Sequence, residues 1–266
     1  MAMDRQSTGS WCGKVRMGYL PVLLVALVSL KDTTASPAMS VTLHGITDTL
    51  KPEYAKYADS LKTGEAAFID AEKLFADFDT KEGWKKEGHH SGFSVHQKMM
   101  ADGKITIVSA PLDGTVEEVM HETWGGIDGL SSWNPTISFA EIIAPLTDYS
   151  DIVYYGNNDI LVIKGREFLT VRLYRPTATG YIMASRSIDL PEVKSKSGKI
   201  RANVILAASQ FRADPSNPRK TLCDVVLQAE LKGDLPKKMV EQSMPAVMAL
   251  VTEQNIKHFK ELAKYS

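Results

Sequence analysis

The chain has 266 residues, enough for one large domain or two small ones, with 44% apolar and 24% charged residues, a globular balance that excludes overall disorder. A formal net charge of −1 supplies no global field to recruit nucleic acid or an anionic membrane. The two cysteines, Cys12 and Cys223, form no disulfide framework, and Cys223, inside the strand-like run Leu222-Cys-Asp-Val-Val-Leu227, reads as a buried bystander thiol.

Residues 1–40 read as a signal-like or targeting segment outside the fold. Lys14 and Arg16 precede an apolar run, Tyr19 to Leu30, followed by Lys31 and the small residues Ala35-Ser-Pro-Ala38, the order found in a secretory signal peptide. The run is short of the ~20 residues that a spanning helix needs. Against secretion, the sequence has no Asn-X-Ser/Thr acceptor, because Pro135 spoils Asn134-Pro-Thr136, and the cysteine usage fits a reducing compartment. Met39 offers an alternative start for a cytosolic form. The domain proper is expected over residues 45–266.

From Lys51 to Phe78 apolar residues recur at three- and four-residue spacing (Tyr54, Tyr57, Leu61, Phe68, Ala71, Phe75, Phe78), which predicts a helix closed by the polar turn Asp79 to Gly83. Strand signals follow at Gly92 to Gln97 and Lys104 to Ser109, joined by a hairpin at Asp102-Gly103, and Pro111-Leu-Asp-Gly114 reads as a turn. Thr115 and Glu118 form a capping box for a helix from Val116 to Thr123. Six β-type runs then succeed one another: Ile137 to Leu146, Asp151 to Tyr155, Glu167 to Arg175, Tyr181 to Ile188, Ala202 to Arg212 and Thr221 to Leu231. With no helices between them they predict an antiparallel meander. After Asp234-Leu-Pro236 the period changes again, and Val240, Met244, Val247, Met248, Val251, Ile256, Phe259 and Leu262 mark one face of a long terminal helix.

A sheet with one long amphipathic helix hides both apolar surfaces by curling around that helix, and such a grip leaves gaps suited to ligands. Met239, Met244 and Met248 fit either an adaptable ligand surface or an ordinary core.

Three motifs carry a resemblance: Trp133-Asn134-Pro135, Gly165-Arg-Glu-Phe-Leu-Thr-Val-Arg172 and Leu231-Lys-Gly-Asp-Leu-Pro-Lys237. In this order and spacing, from about Lys51 to Leu262, the chain resembles the START (StAR-related lipid transfer) domain family, nearest its steroidogenic acute regulatory group. The resemblance implies an α+β helix-grip fold, a curved antiparallel sheet around the C-terminal helix, enclosing a tunnel for one lipid. It implies non-enzymatic binding and intermembrane transfer of a sterol such as cholesterol, with phospholipid, ceramide or carotenoid carriage, or lipid sensing, as alternatives. An acyl-CoA thioesterase-like or cyclase-like enzyme is the remaining one. The partners implied are the lipid and transient membrane surfaces, and the place of action is cytoplasmic, at mitochondria or endosomes, or the secretory pathway if residues 1–38 act as a signal peptide.

By the same resemblance Arg172 meets the sterol hydroxyl. Strand alternation puts Phe168, Thr170, Arg172 and Tyr174 on one face; from the residues alone Arg172 fits a cavity wall or a strand-edge surface. The family's acidic partner falls near Tyr154 or Tyr155, neither acidic, which leaves Asp159, Asp224 or Glu230 as substitutes. Asn134, Tyr154, Tyr174, Met183 and Val204 complete the expected lipid-binding set, and Met244, Met248, Val251 and Phe259 the expected gate helix.

No catalytic set, metal site or cofactor is expected. His89, His90 and His96 lie in a polar strand region, His121-Glu122 lacks the second histidine of a zinc-protease helix, and Gly125-Gly-Ile-Asp-Gly129 has the wrong spacing for a phosphate loop. Glu117 and Glu118 point in different directions. Lys237, Lys238, Lys257, Lys260 and Lys264 read as a solvated face or as a dock for anionic head groups, the latter at roughly 1 kcal/mol each.

Overall fold

The computed structural model describes residues 39–90, 92–100, 103–161, 163–196 and 198–265. The leader-like segment, Cys12 and Asp102 lie outside the described residues, as do the side chains of His89, His90 and Lys237.

In chain order the elements are a hairpin, β1 (Ser40–Leu43) and β2 (Ile46–Thr49), a 3-10 turn (Pro52–Tyr57) and α1 (Ala58–Thr80). Then come β3 (Lys85–His90), β4 (Phe93–Met100), β5 (Gly103–Asp113), α2 (Val116–Gly125) and α3 (Leu130–Trp133). β6 (Ile137–Ala144), β7 (Ser150–Asn157), β8 (Arg166–Thr177), β9 (Gly180–Ser187), β10 (Ile200–Arg201), β11 (Asn203–Asp214) and β12 (Asn217–Glu230) lead to α4 (Lys237–Leu262). Among the described residues the main sheet has ten strands in the order β3-β4-β5-β12-β11-β9-β8-β7-β6, with the short β10 parallel to β8. Every other pairing in it is antiparallel. The expected meander is present, and β12 returns to pair with β5 and joins it to the earlier strands.

Period-two alternation gives this sheet two apolar faces, and each has its own helix. The outer face is closed by α1, whose Leu61, Phe68, Ala71, Phe75 and Phe78 are buried in one cluster with Ile107, Val171, Leu173, Ala184, Ala208 and Val226. Side chains of this size contribute roughly 1.5–3 kcal/mol each when fully buried. Gly64 lets the helix approach closely, because a Cβ there would stand 3.3 Å from Val171 Cγ2. The inner face is gripped by α4, which buries Val247, Met248, Ala249 and Phe259. At α2 the capping box is in place: Glu118 N donates to Thr115 Oγ1 at 3.3 Å and Thr115 N donates to Glu118 Oε2 at 2.8 Å.

Three local expectations are corrected. The first turn of the predicted helix at Lys51 is a 3-10 turn, with Pro52 starting it, and the α-helix begins at Ala58. Pro111 lies within β5, opposite Leu222, and the turn comes at Gly114, whose φ is +123°. Pro111 is tolerated because β4 has ended by then, its last partner being Ser109. The β1–β2 hairpin begins ahead of residue 45 and is an integral part of the fold. Its Asp48, 5% exposed, accepts from Thr147 Oγ1 at 2.6 Å and from Arg175 Nη2 at 3.3 Å. Arg175 is fully buried and lies over the Tyr149 ring.

Removing one partner of a buried ion pair leaves the other charge stranded, at a cost of about 3–5 kcal/mol. Asp48→Ala is therefore expected to lose about that much stability, read as a lower urea midpoint at unchanged slope. A midpoint equal to wild type would show that the hairpin does not hold Arg175 in place.

Candidate functional site

Between α4 and the inner face of the sheet lies a hollow of about 270 Å³. Its wall is largely apolar. Val153 and Tyr155 come from β7, Met183 from β9, Phe211 from β11, Cys223 and Val225 from β12, Ile127 from the α2–α3 connection, Leu130 from α3, and Val251 and Phe259 from α4. Polar side chains interrupt it: Thr170 and Arg172 on β8, Ser185 on β9, Ser209 on β11, Asn134 after α3, Glu122 and Thr123 on α2, and Asn255 and His258 on α4. Asn134 is held by its own turn, its Oδ1 accepting from Thr136 N at 3.0 Å and Thr136 Oγ1 at 2.7 Å.

Arg172 is 5% exposed and its charge is matched. The antiparallel register places Asp151 of β7 directly opposite it. Nε donates to Asp151 Oδ1 at 2.9 Å and Nη2 to Asp151 Oδ2 at 2.6 Å, a bidentate pair of buried groups. Nη2 also donates to the Trp124 carbonyl at 3.2 Å, and the guanidinium lies 4.3 Å from the Trp124 ring centroid. Nη1 makes no hydrogen bond among the described residues. In the same wall, burial pushes the Tyr155 phenol up to about 12, with the Arg172 charge a smaller, opposing influence. Burial likewise pushes the Cys223 thiol far above its ordinary range, so it is inert.

Across the hollow, His258 of α4 stacks on Trp133 of α3, ring centroids 3.8 Å apart and 7° from parallel. His258 Nε2 and Glu122 Oε1 of α2 are 2.7 Å apart. These contacts tie the second half of α4 to the α2–α3 segment.

Toward the other end of α4 lie two further gaps. Phe168, Leu227 and Val247 line a gap of only about 40 Å³, each one step along its element from Thr170, Val225 and Val251, which line the hollow. Tyr155 stacks on Phe168 at this waist, at 4.9 Å between ring centroids. Beyond it opens an outer chamber of about 480 Å³ under the first half of α4, floored by Ile205, Leu227, Ala229 and Leu231 and rimmed by Lys104, Glu230 and Lys232.

Two of the sequence motifs meet at this rim. Arg166 donates to the carbonyls of Leu231 (2.7 Å) and Lys232 (3.0 Å), and to that of Lys164 (2.8 Å). Gly233 takes φ +76°, a left-handed conformation that side-chain-bearing residues rarely adopt. Glu167, fully buried, accepts from Tyr154 OH (2.8 Å), Ser195 Oγ (2.9 Å) and Arg201 (3.1 Å). Arg166 thus braces the Leu231–Lys232 segment at the rim, Glu167 braces Tyr154, Ser195 and Arg201, and neither residue lines the hollow.

The family model described as START domain matches residues 71–265. The chain belongs to the START domain family. Over 245 residues it is 43% identical to steroidogenic acute regulatory-like protein 1 of Caenorhabditis elegans, covering 91% of this chain and 94% of that one. It is 25% identical over 190 residues to the mitochondrial steroidogenic acute regulatory protein of Mus musculus, covering 68% of this chain and 64% of the mouse protein. In fold it is similar to human StAR-related lipid transfer protein 5, at a TM-score of 0.66 and 21% identity, over 77% of this chain and 99% of that one.

Within this START domain, Arg172, Asn134, Met183, Val251 and Phe259 line the hollow, and the other expected site residues do not. Tyr154 faces the outer layer, where it packs edge-on to Phe139 at 4.9 Å; alternation along β7 gives the inner face to Tyr155. Tyr174 shares the face of Arg172 but lies past the end of the hollow, against Trp124 and Tyr149. Val204, next to a bulge in β11, is fully buried in the cluster of Phe168, Ala202 and Val247. Met244 lines the waist and outer chamber, and Met248 is core, packed with Phe93, Val95, Val108 and Ala110. The substitute partners considered for Arg172 are engaged elsewhere: Asp159 with Lys164, Asp224 with Arg212 and Ser109, Glu230 with Asn203. Lys238, Lys257, Lys260 and Lys264 are exposed. Among the described residues, no cluster of three or more His, Cys, Asp or Glu could hold a metal, and no helix is long and apolar enough to cross a membrane.

Asp151→Leu alone is expected to cost about 3–5 kcal/mol, and Asp151→Leu with Arg172→Leu to recover most of it, because only the single change strands a buried charge. Denaturant unfolding of the four proteins of the cycle measures this. For Tyr155, a folded-state pKa near 12 above an unfolded value of about 10 means that its share of stability is complete below pH ~10 and lost as pH rises through ~12. Wild type should lose more stability than Tyr155→Phe over that window.

Proposed function

We propose that this START domain carries one sterol at a time between membranes, holding it in the inner hollow and leaving it chemically unchanged. The observation behind this reading is the matched Arg172–Asp151 pair in a largely apolar wall. A stranded cation there would favour a carboxylate or phosphate; a neutralised pair with one guanidinium nitrogen to spare favours an uncharged polar group. A sterol presents one such group on a rigid apolar body, which loses little conformational freedom on binding. The names of the worm and mouse relatives, steroidogenic acute regulatory-like and steroidogenic acute regulatory protein, point the same way.

At about 270 Å³ the hollow falls just under the roughly 300–1,000 Å³ of sites that enclose a drug-sized ligand, so loading widens it. The compliant element is α4. Pro245 stands in mid-helix without a backbone N–H to donate, dividing the half over the outer chamber from the half latched by His258. The ligand enters through the outer chamber and waist as the first half of α4 loosens, and a membrane receives the apolar face so uncovered. The exposed lysines of α4 face anionic head groups, and the free thiol and missing glycosylation acceptor favour the cytoplasmic side.

Mass spectrometry of lipid that co-purifies with the protein, followed by vesicle-to-vesicle transfer of that lipid, tests the reading; sterol is expected in both. The folded Asp151→Leu, Arg172→Leu double variant should lose about tenfold or more in sterol affinity, as expected for a hydrogen bond to a charged donor. Unchanged affinity would remove Arg172 from the site. A disulfide engineered between α4 and β5 should abolish transfer while leaving bound ligand in place, and normal transfer by the locked protein would disprove the gate.

A further inference from the structure

We infer that Thr170 is a specificity-determining residue of the hollow, and that its hydroxyl and Arg172 Nη1 together bind the single uncharged oxygen of the ligand. This rests on the sterol reading above and adds a second anchoring atom to it. Thr170 is 1% exposed and lines the hollow, and its Oγ1 has no hydrogen-bond partner among the described residues. A buried hydroxyl left unpaired opposes folding. Valine has the same shape, an equal preference for strands and no polar atom to satisfy, so folding alone gives no reason for a threonine at this position. A ligand that supplies the missing partner does.

The geometry fits one oxygen. Thr170 and Arg172 project from the same face of β8, two residues apart, and both line the hollow, so one guest oxygen lying between their side chains meets both groups. Their chemistry is complementary. The guanidinium donates only, whereas the threonine hydroxyl donates or accepts. A ligand hydroxyl placed between them accepts a hydrogen bond from Nη1 and donates one to Oγ1, so that each protein group gains a partner. A ligand carboxylate would bring an unmatched negative charge beside Asp151, which already takes up the arginine's charge through two bonds. A hydrocarbon would leave Oγ1 and Nη1 both unpaired. The anchor therefore selects a neutral oxygenated lipid over both a fatty acid and a sterol hydrocarbon.

The test compares cholesterol with 5-cholestene, which lacks the hydroxyl, in equilibrium binding to wild type, Thr170→Val and Thr170→Ser. Wild type should prefer cholesterol. Thr170→Val should lose about 3- to 10-fold in affinity for cholesterol and nothing for 5-cholestene, while Thr170→Ser regains most of the loss. Without ligand, Thr170→Val should melt at or above the wild-type temperature, since it removes an unpaired buried group. If Thr170→Val keeps the wild-type preference for cholesterol, or melts several degrees lower because the hydroxyl has a structural partner, the role of Thr170 falls while the sterol reading stands. Wild type that binds both ligands equally overturns both.

Discussion

The molecule is governed by a mismatch in width. Strands about 4.8 Å apart in a path of nine present a face roughly 40 Å across, and a helix with its side chains covers only about 10–12 Å of it. On the outer side α1 and its neighbours close the gap with phenylalanines, and Gly64 draws the helix onto β8. On the inner side α4 runs over the sheet and α2 and α3 close one end, but side chains do not fill the space between. The hollow, the waist at Phe168 and the outer chamber are what one helix leaves uncovered.

Charge then decides what the uncovered space can hold. An arginine in an apolar wall is costly unless matched, and Asp151 matches it through two hydrogen bonds. The pair takes the net charge out of the hollow while leaving one donor nitrogen uncommitted, a combination that suits a neutral, mostly apolar guest. The other buried charges serve architecture. Arg175 and Asp48 fasten the N-terminal hairpin, Arg166 ties the start of β8 to the Leu231–Lys232 backbone, and Glu167 gathers Tyr154, Ser195 and Arg201 on the other face.

Much of this was legible in the sequence. Period changes located α1, the meander and α4, and alternation put Phe168, Thr170, Arg172 and Tyr174 on one face without saying whether that face was a cavity wall or a surface. Register was harder to read. Asp151 faces Arg172 through the β7–β8 register, whereas the resemblance put the acidic partner near Tyr154 or Tyr155, and alternation along β7 gives the inner face to Tyr155 and not to Tyr154. Val204 was misplaced by a bulge, which carries no composition signal. The motifs that carried the resemblance divide their work: Arg166, Glu167 and the Leu231-Lys-Gly233 run act as braces, while Asn134, Thr170 and Arg172 line the hollow. Thr170 was read as part of a face, but only coordinates could reveal that its hydroxyl lacks a partner.

The central claim is that the guest occupies the space between the second half of α4 and the sheet, polar end at Arg172. A sterol carrying a photoreactive diazirine in its ring system, cross-linked in the protein and mapped by peptide mass spectrometry, tests it most directly. The account predicts adducts on Met183, Val225, Val251 or Phe259, and competition by unlabelled sterol. Adducts confined to the exposed surface, or to the α1 side around Tyr154 and Phe139, would contradict it.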